Sequence, residues 1–296
     1  MHILVYGAGA MGSLIGGLLS SIHDVTLVAR QDHVNAIRRC GLRITGKTEL
    51  VAEPWAMTQV PTTRQDLVII STKAYDTPSA VSSLERFWDS SLFLTLQNGL
   101  TNADVIAKKA KHVVAGTTSH GVTFVREGLI RHAGLGDTYI GSFRGASSTD
   151  IIDICDELTA CGFPAKYSEN IRRDLWMKVI VNSSINPLTA TARVKNGRLL
   201  QVPQLTALLK ASSKEGAAVA RSEGFNISDE EALTAVEKVA RRTAANRSSM
   251  LQDVERGRRT EIEEISGAIV AAARKNSLSV PTTETLALAV AGLQSL

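Results

Sequence analysis

The chain of 296 residues is short of several things, and each shortage excludes a class of protein. It has three cysteines, Cys40, Cys155 and Cys161, an odd number with no C-x-x-C spacing. Neither a disulfide framework nor a zinc site fits that pattern, and a reducing cytoplasm is the expected compartment. Its six histidines (His2, His23, His33, His112, His120, His132) fall at no ligand spacing, so no metal is expected. Aromatic residues make up 4% of the chain, so the core has to rest on Leu, Ile, Val and Ala. No apolar run of about 20 residues is free of charges, which argues against a membrane span. The apolar N-terminus, "MHILVYGAGAMGSLIGGLLSS", lacks the basic start of a secretory signal.

Basic charge is also modest. The net charge is +4, and the positive residues are scattered except in "VARRTAANR" and "ERGRR". A nucleic-acid surface concentrates them on one face. Solvated helix faces are therefore expected, with no nucleic acid and no membrane as partners. The balance suits anionic small-molecule ligands.

What is present points to two domains, as the length alone suggests. "MHILVYG" reads as a strand, "SLIGGLLSS" as a helix and "DVTLVAR" as a second strand, a βαβ unit. "HVNAIRRCG" is a further helix, "LRITGKTELVAE" a hairpin, and "DLVIIST" and "LFLTLQNG" are buried strands. "HVVAGTTSHGVTFV" supplies one or two more, and "LIRHAGLGDTYIGS" reads as a terminal antiparallel pair. The alternation predicts a doubly wound, mostly parallel sheet, a Rossmann-type α/β domain over residues 1–167. Beyond it, strand signals nearly vanish. Helical runs over 172–192, 201–224, 228–256, 260–276 and after Pro281 predict an all-α domain over 168–296. Ser228 with Glu231 three residues on has the pattern of a capping box.

"GAGAMG" spans Gly7, Ala8, Gly9, Ala10, Met11 and Gly12 in G-x-G-x-x-G spacing, after a strand and opening a helix. Gly7 permits the tight turn, Gly9 lets a pyrophosphate approach, and Gly12 lets helix and sheet pack closely. The second strand ends in Arg30 rather than in the acid that binds a ribose hydroxyl, which favours the 2′-phosphate of NADP. NADPH is thus the expected cofactor. Lys73 in "STKAYD" and Asn98 in "LQNG" follow later strands, placed for the adenosine and nicotinamide sides of a dinucleotide.

"LWMKVIVNSSINPLTA" carries Lys178, Asn182 and Asn186 at steps of four, one polar stripe on an apolar helix. Pro187 predicts a bend or break after Asn186.

With "GTTSHGV", "KNG" and "SSMLQDVERGRRTEIEEISG" in order, these segments give the chain a resemblance to the ketopantoate reductase (2-dehydropantoate 2-reductase) family over nearly its whole length. The resemblance implies NADPH-dependent reduction of 2-dehydropantoate to (R)-pantoate, on the route to pantothenate and coenzyme A. It implies Lys178 as catalytic lysine and Glu261 as active-site glutamate. It further implies Asn98, Asn182, Asn186, Asn196, Asn246 and Ser249 around the substrate. The glycine loop, Lys73, Asn98, Glu261 and the backbone near Val122 are implied against the cofactor.

The chemistry is consistent with those roles. Hydride addition to a ketone leaves charge on oxygen, which a lysine ammonium can protonate. Glu261, at the head of a helix whose apolar face is Ile262, Ile265, Ile269 and Val270, is expected to orient Lys178 or to bind the substrate. Glu263 and Glu264 are expected to face solvent. Two other readings stand beside this one: a related reductase of another 2-keto acid or hydroxyacid, and a non-catalytic NADP-binding sensor. The apolar last helix, "LALAVAGLQSL", either closes its own core or meets a second copy in a homodimer.

Overall fold

The structure, a computed structural model, describes residues 1–295, and by contact it falls into two units. The first holds residues 1–97 and 102–172; the second holds the loop Asn98–Thr101 and the chain from Arg173 onward.

The first unit contains β1 (His2–Tyr6), α1 (Ala10–Leu19), β2 (Asp24–Val28), α2 (Gln31–Cys40), β3 (Leu42–Gly46), β4 (Leu50–Ala52), β5 (Trp55–Met57), β6 (Leu67–Ile70), α3 (Thr77–Ser83), β7 (Leu92–Thr95), α4 (Asn102–Ala107), β8 (His112–Thr118), β9 (Gly121–Arg126), β10 (Leu129–Gly134), β11 (Thr138–Arg144), α5 (Ser148–Ala160) and β12 (Lys166–Tyr167). Eight strands make one sheet in the order β12-β11-β8-β7-β6-β1-β2-β5, parallel except where β11 meets β8. A second sheet has the order β4-β3-β10-β9. The unit is thus the expected Rossmann-type α/β fold. The centre of the large sheet is apolar on both faces: every residue of β6, "LVII", is buried, as a strand covered on both sides requires. Helix α1 lies between the sheets. A Cβ at Gly16 would come within 2.3 Å of Leu27 on β2, and one at Gly17 within 2.9 Å of Ile44 on β3.

The hairpin expected in "LRITGKTELVAE" forms as antiparallel β3 and β4. The strand pair expected in "LIRHAGLGDTYIGS" does not. β10 joins β9 and β3 in the small sheet, while β11 joins β8 and β12 in the large one. Both chain segments change sheets at one crossing. There Ser119 N–H donates to the Asp137 carbonyl (3.0 Å), and Asp137 N–H donates to Ser119 Oγ (2.9 Å). Strand partners are therefore set by the sheet each half enters, not by closeness in sequence.

The second unit is helical: α6 (Ile171–Ala192), whose first turn straddles the division, α7 (Pro203–Ser222), α8 (Asp229–Arg242), α9 (Ser249–Glu255), α10 (Ala268–Lys275) and α11 (Pro281–Leu293). A π-helical turn, Glu263–Gly267, leads directly into α10. The core gathers Val179, Ile180, Ile185 and Leu188 of α6 with Leu209, Ala217, Val236, Ile265, Ile269 and Val290, and Leu100 packs against it. No helix among the described residues is long and apolar enough to cross a membrane.

Two helix boundaries differ from expectation. Pro187 does not break α6, which runs on to Ala192. Proline removes the N–H that would bond Ser183 O. The Ser212 hydroxyl on α7 approaches that carbonyl instead, at 3.5 Å. The run 228–256 is two helices. Ser228 caps α8 by accepting Glu231 N–H, but the Glu231 carboxylate turns away to Arg173 (2.6 Å). After Arg242 the chain turns because its backbone is claimed by another segment. Asn196 N–H donates to Asn246 O (3.0 Å) and Gly197 N–H to Ala244 O (3.1 Å). Ser248 then caps α9 through Leu251 N–H (3.1 Å).

Phe163 is wholly buried in the first unit and stacks on His120 at 4.4 Å. Phe163→Ala should lower stability by about 3–5 kcal/mol, read as a lower urea midpoint.

Candidate active site

Three neighbouring strands of the large sheet, β6, β1 and β2, end in the residues expected to meet a dinucleotide. After β1 comes the glycine loop. Gly7 has φ +98°, and a Cβ there would lie 2.6 Å from Thr72 Cγ2. At Gly12 a Cβ would lie 2.5 Å from Gly7 O. The protein's own packing therefore demands glycine at both positions. At Gly9 it does not: a Cβ would meet no protein atom within 4 Å. Glycine there keeps clear the approach to the N-terminus of α1. The N–H groups of Ala10, Met11 and Gly12 precede the first helical bond, from Ser13 N–H to Gly9 O (2.9 Å), and no side chain caps them. Free N–H groups and the helix dipole at that end favour an anion. A dinucleotide pyrophosphate fits this cradle.

The loop is fixed from behind. Gly7 and Ala8 N–H both donate to Val28 O (3.1 and 3.0 Å). The Ser71 hydroxyl donates to Gly7 O (2.9 Å), and the Ser13 hydroxyl to Ala8 O (3.1 Å). After β2, Arg30 is exposed at the N-cap of α2. After β6, half-buried Lys73 starts the turn Ala74–Asp76. Val122, also half-buried, lies near the start of β9, an edge strand of the small sheet.

The second unit holds the other expected residues. Lys178 and Asn182 are half-buried on α6, and Asn186 is buried. Enclosure of its ammonium pushes Lys178 down to about 8, against the opposing pull of the Glu261 carboxylate. Glu261 is buried and accepts a hydrogen bond on Oε2 from Asn98 Nδ2 at 3.1 Å. Asn98, at the end of the β7 segment in sequence, thus belongs by contact with the helices. Among the described residues, no protein group hydrogen-bonds the side-chain amides of Asn182 or Asn186. Buried amides normally find partners. Asn182 and Asn186, one half-buried and one buried, lie one turn apart beside a desolvated lysine with their amides unclaimed by protein, and so are disposed to bind a polar ligand.

The "KNG" and "NRSS" segments, far apart in sequence, are brought together. Buried Asn196 donates from Nδ2 to Thr243 Oγ1 (2.8 Å), while its Oδ1 is buried with no partner. Asn246 and Ser249 are exposed around the cap residue Ser248. Ser248 is joined to α6 by a 2.7 Å hydrogen bond with Thr189, one turn beyond Asn186.

Glu263 is exposed as expected, but Glu264 is not simply solvent-facing. Its Oε2 is buried without a partner, and burial, with the nearby Glu261 charge, raises its carboxyl above the usual range. Glu264 lies within the π turn, Glu263–Gly267. Such turns are frequent at functional sites. Sequence reasoning also missed the contact of His120 with His132, Nδ1 to Nε2 at 2.9 Å, since no local spacing announces it. Burial, and His132 beside it, push His120 down to about 4. No group of three or more potential metal ligands forms among the described residues.

A phosphate cradle at the head of a parallel sheet, with a helical unit carrying a desolvated lysine and a stripe of amides, defines a nicotinamide-dinucleotide-dependent oxidoreductase of Rossmann type. Residues 3–145 match the family model Ketopantoate reductase PanE/ApbA, and residues 170–294 match Ketopantoate reductase PanE/ApbA C terminal. The chain belongs to the ketopantoate reductase family. It is 40% identical over 294 residues to the 2-dehydropantoate 2-reductase of Halobacterium salinarum, covering 97% of each chain. Its structure is similar to that of a PanE/ApbA family ketopantoate reductase from Ralstonia eutropha, with TM-score 0.91, 31% identity, and 100% and 99% of the two chains covered. It is also similar to D-mandelate dehydrogenase in a ternary structure with NADH and anilino(oxo)acetate, with TM-score 0.94, 25% identity, and 100% and 98% covered.

Because the Glu261 carboxylate raises the Lys178 pKa, Glu261→Gln should move it further below about 8. An NMR titration of the isotopically methylated lysine is the measurement. An unchanged or higher value would show that the carboxylate does not act on the ammonium.

Proposed function

We propose that this protein reduces 2-dehydropantoate to (R)-pantoate with NADPH, in the cytoplasm, as a step toward pantothenate and coenzyme A. The observation that carries the reading is the α6 stripe: a lysine with a lowered pKa followed by two amides that no protein group claims. When bound, the reduced nicotinamide supplies the hydride. Lys178 protonates the oxygen that becomes the alcohol, and its pKa near working pH suits a general acid. Asn182 donates its amide N–H to the same oxygen or to a substrate hydroxyl. Asn186 meets another polar group along the substrate. Glu261 holds the ammonium in place and is itself held by Asn98. The substrate carboxylate is assigned to the segment carrying Asn246 and Ser249, with Asn196 behind it. The domain of residues 1–167 binds the dinucleotide, and that of residues 168–296 carries the substrate residues. A homodimer is part of the same reading, with an exposed residue of α11, Leu288, at 68% accessibility on the face to be covered.

NADPH is favoured by Arg30, whose exposed guanidinium follows β2 where a ribose 2′-phosphate would be met. Arg30→Ala should raise the KM for NADPH roughly 10- to 100-fold while leaving that for NADH nearly unchanged. Equal effects on the two cofactors would reject the assignment.

A second reading is supported by the likeness to D-mandelate dehydrogenase: the same fold and lysine, with an aromatic 2-keto acid as substrate. NADPH oxidation measured with 2-dehydropantoate beside a panel of aromatic and aliphatic 2-keto acids separates the two. The expected result is a kcat/KM highest for 2-dehydropantoate. Lys178→Ala should then lower kcat by about 10²–10⁴-fold, as loss of a general acid does, with NADPH affinity intact. Near-normal turnover would place the proton donor elsewhere.

A further inference from the structure

His33 is buried on the first turn of α2, three residues after Arg30, and the reaction chemistry makes no use of it. Both of its ring nitrogens are engaged. The Gly128 N–H, in the turn between β9 and β10, donates to Nδ1 at 3.0 Å. Nδ1 is therefore the bare nitrogen, and in the neutral ring the proton sits on Nε2. Nε2 lies 3.1 Å from Ser13 Oγ, and the Ser13 hydroxyl proton is directed to Ala8 O at 3.1 Å. Every donor and acceptor in the series Gly128, His33, Ser13, Ala8 runs in one direction. Burial pushes the ring below the usual histidine range despite nearby Glu127, so the neutral tautomer that the series requires is the form present at neutral pH.

The series ends inside the glycine loop. The Ala8 carbonyl immediately precedes the N-cap Gly9, and its hydrogen bond helps to fix the peptide from which the free N–H groups of Ala10, Met11 and Gly12 follow. Its other end, Gly128, lies in the β9–β10 turn, and His33 between the two ends is on the helix whose N-cap residue is Arg30. The β9–β10 turn is itself seated on that helix: a Cβ at Gly128 would lie 3.0 Å from Ala36 Cβ. We propose that His33 is a positioning residue for the dinucleotide, acting through Ser13 to hold the glycine loop in the geometry that receives the pyrophosphate. This rests on the cofactor reading of the loop and is independent of which keto acid is reduced.

The proposal makes a signature that a general packing role does not. The pyrophosphate is common to both cofactors, so His33→Ala should raise the Kd of NADPH and of NADH alike, about five- to tenfold, as loss of one buried hydrogen bond does. Arg30→Ala, by contrast, acts on one cofactor. Glutamine places its Nε2 where the histidine Nε2 was and keeps the donor to Ser13. Asparagine reproduces only the acceptor for Gly128. His33→Gln should therefore restore affinity and His33→Asn should not. Ser13→Ala should match His33→Ala, and the double variant should be no worse than either alone.

The experiment is a fluorescence titration of the full-length wild type and these variants with NADPH and with NADH, with kcat measured at saturating cofactor. Equal losses for both cofactors, rescue by glutamine, and kcat within about twofold of wild type support the proposal. Unchanged Kd values in His33→Ala and Ser13→Ala, rescue by asparagine as good as by glutamine, additive losses, or a loss confined to NADPH would overturn it. Should His33→Ala not fold, Ser13→Ala and the Gln/Asn pair decide the matter. Wild-type protein that binds neither dinucleotide would reject the cofactor reading itself, a result distinct from any pattern among variants of a protein that does bind.

Discussion

The second unit is organised around one electrostatic compromise: a lysine ammonium enclosed by protein and a glutamate buried near it. Taking an ammonium out of water is unfavourable unless an opposite charge compensates, and the compensation here is partial. Burial wins over the attraction of Glu261, so the proton on Lys178 is held more loosely than on a solvated lysine. A perfect ion pair would lock the proton in place, and a lysine with no partner would shed it. The intermediate case is the one suited to giving up a proton near neutral pH.

Other features follow from keeping that arrangement in place. The Glu261 carboxylate is fixed by Asn98, which comes from the loop between β7 and α4 rather than from a neighbouring helix. Leu100 anchors the same loop by packing on the helical core. Behind Glu261, Thr260 N–H donates to Gln294 on the far side of α11 in sequence, at 2.6 Å. The π turn that follows accommodates a second carboxylate, Glu264, partly buried without a hydrogen-bonding partner on one oxygen. On α6, Ile180 and its neighbours bury the apolar side against α7, which comes close at Gly216: a Cβ there would lie 3.0 Å from Ile180. Close packing of that face fixes the rotation of the helix and so the direction of its polar stripe.

Much of this was legible in the chain. The glycine spacing announced the cradle, because a pyrophosphate on a helix N-terminus needs a small residue at defined positions whatever surrounds it. The step of four placed Lys178, Asn182 and Asn186 on one face for a geometric reason that needs no tertiary information. The apolar face of Ile262, Ile265, Ile269 and Val270 is buried as its spacing implies. Local reasoning failed where a remote group decided the outcome. Pro187 was expected to interrupt α6, but a helix supported along its length by neighbours absorbs the loss of one bond. The run 228–256 has helical composition throughout, yet Asn196 and Gly197 take the backbone groups of the turn that divides it. β10 and β11 read as partners, and a crossing at Ser119 and Asp137 sends them to different sheets.

By itself, then, the sequence determined the architecture of each half, the cofactor cradle and the shared face of the three polar residues on α6. These depend on periodicity and on short motifs, which are properties of neighbours along the chain. Tertiary structure alone decided that Glu261 is buried with Asn98, that the "KNG" backbone bonds to Ala244 and Asn246, and that His33 is linked through Ser13 to the glycine loop. Each of these joins residues tens of positions apart or more. Hydrogen bonding and desolvation act over a few ångströms of space, and no spacing in the chain encodes which distant groups the packing will bring within that range.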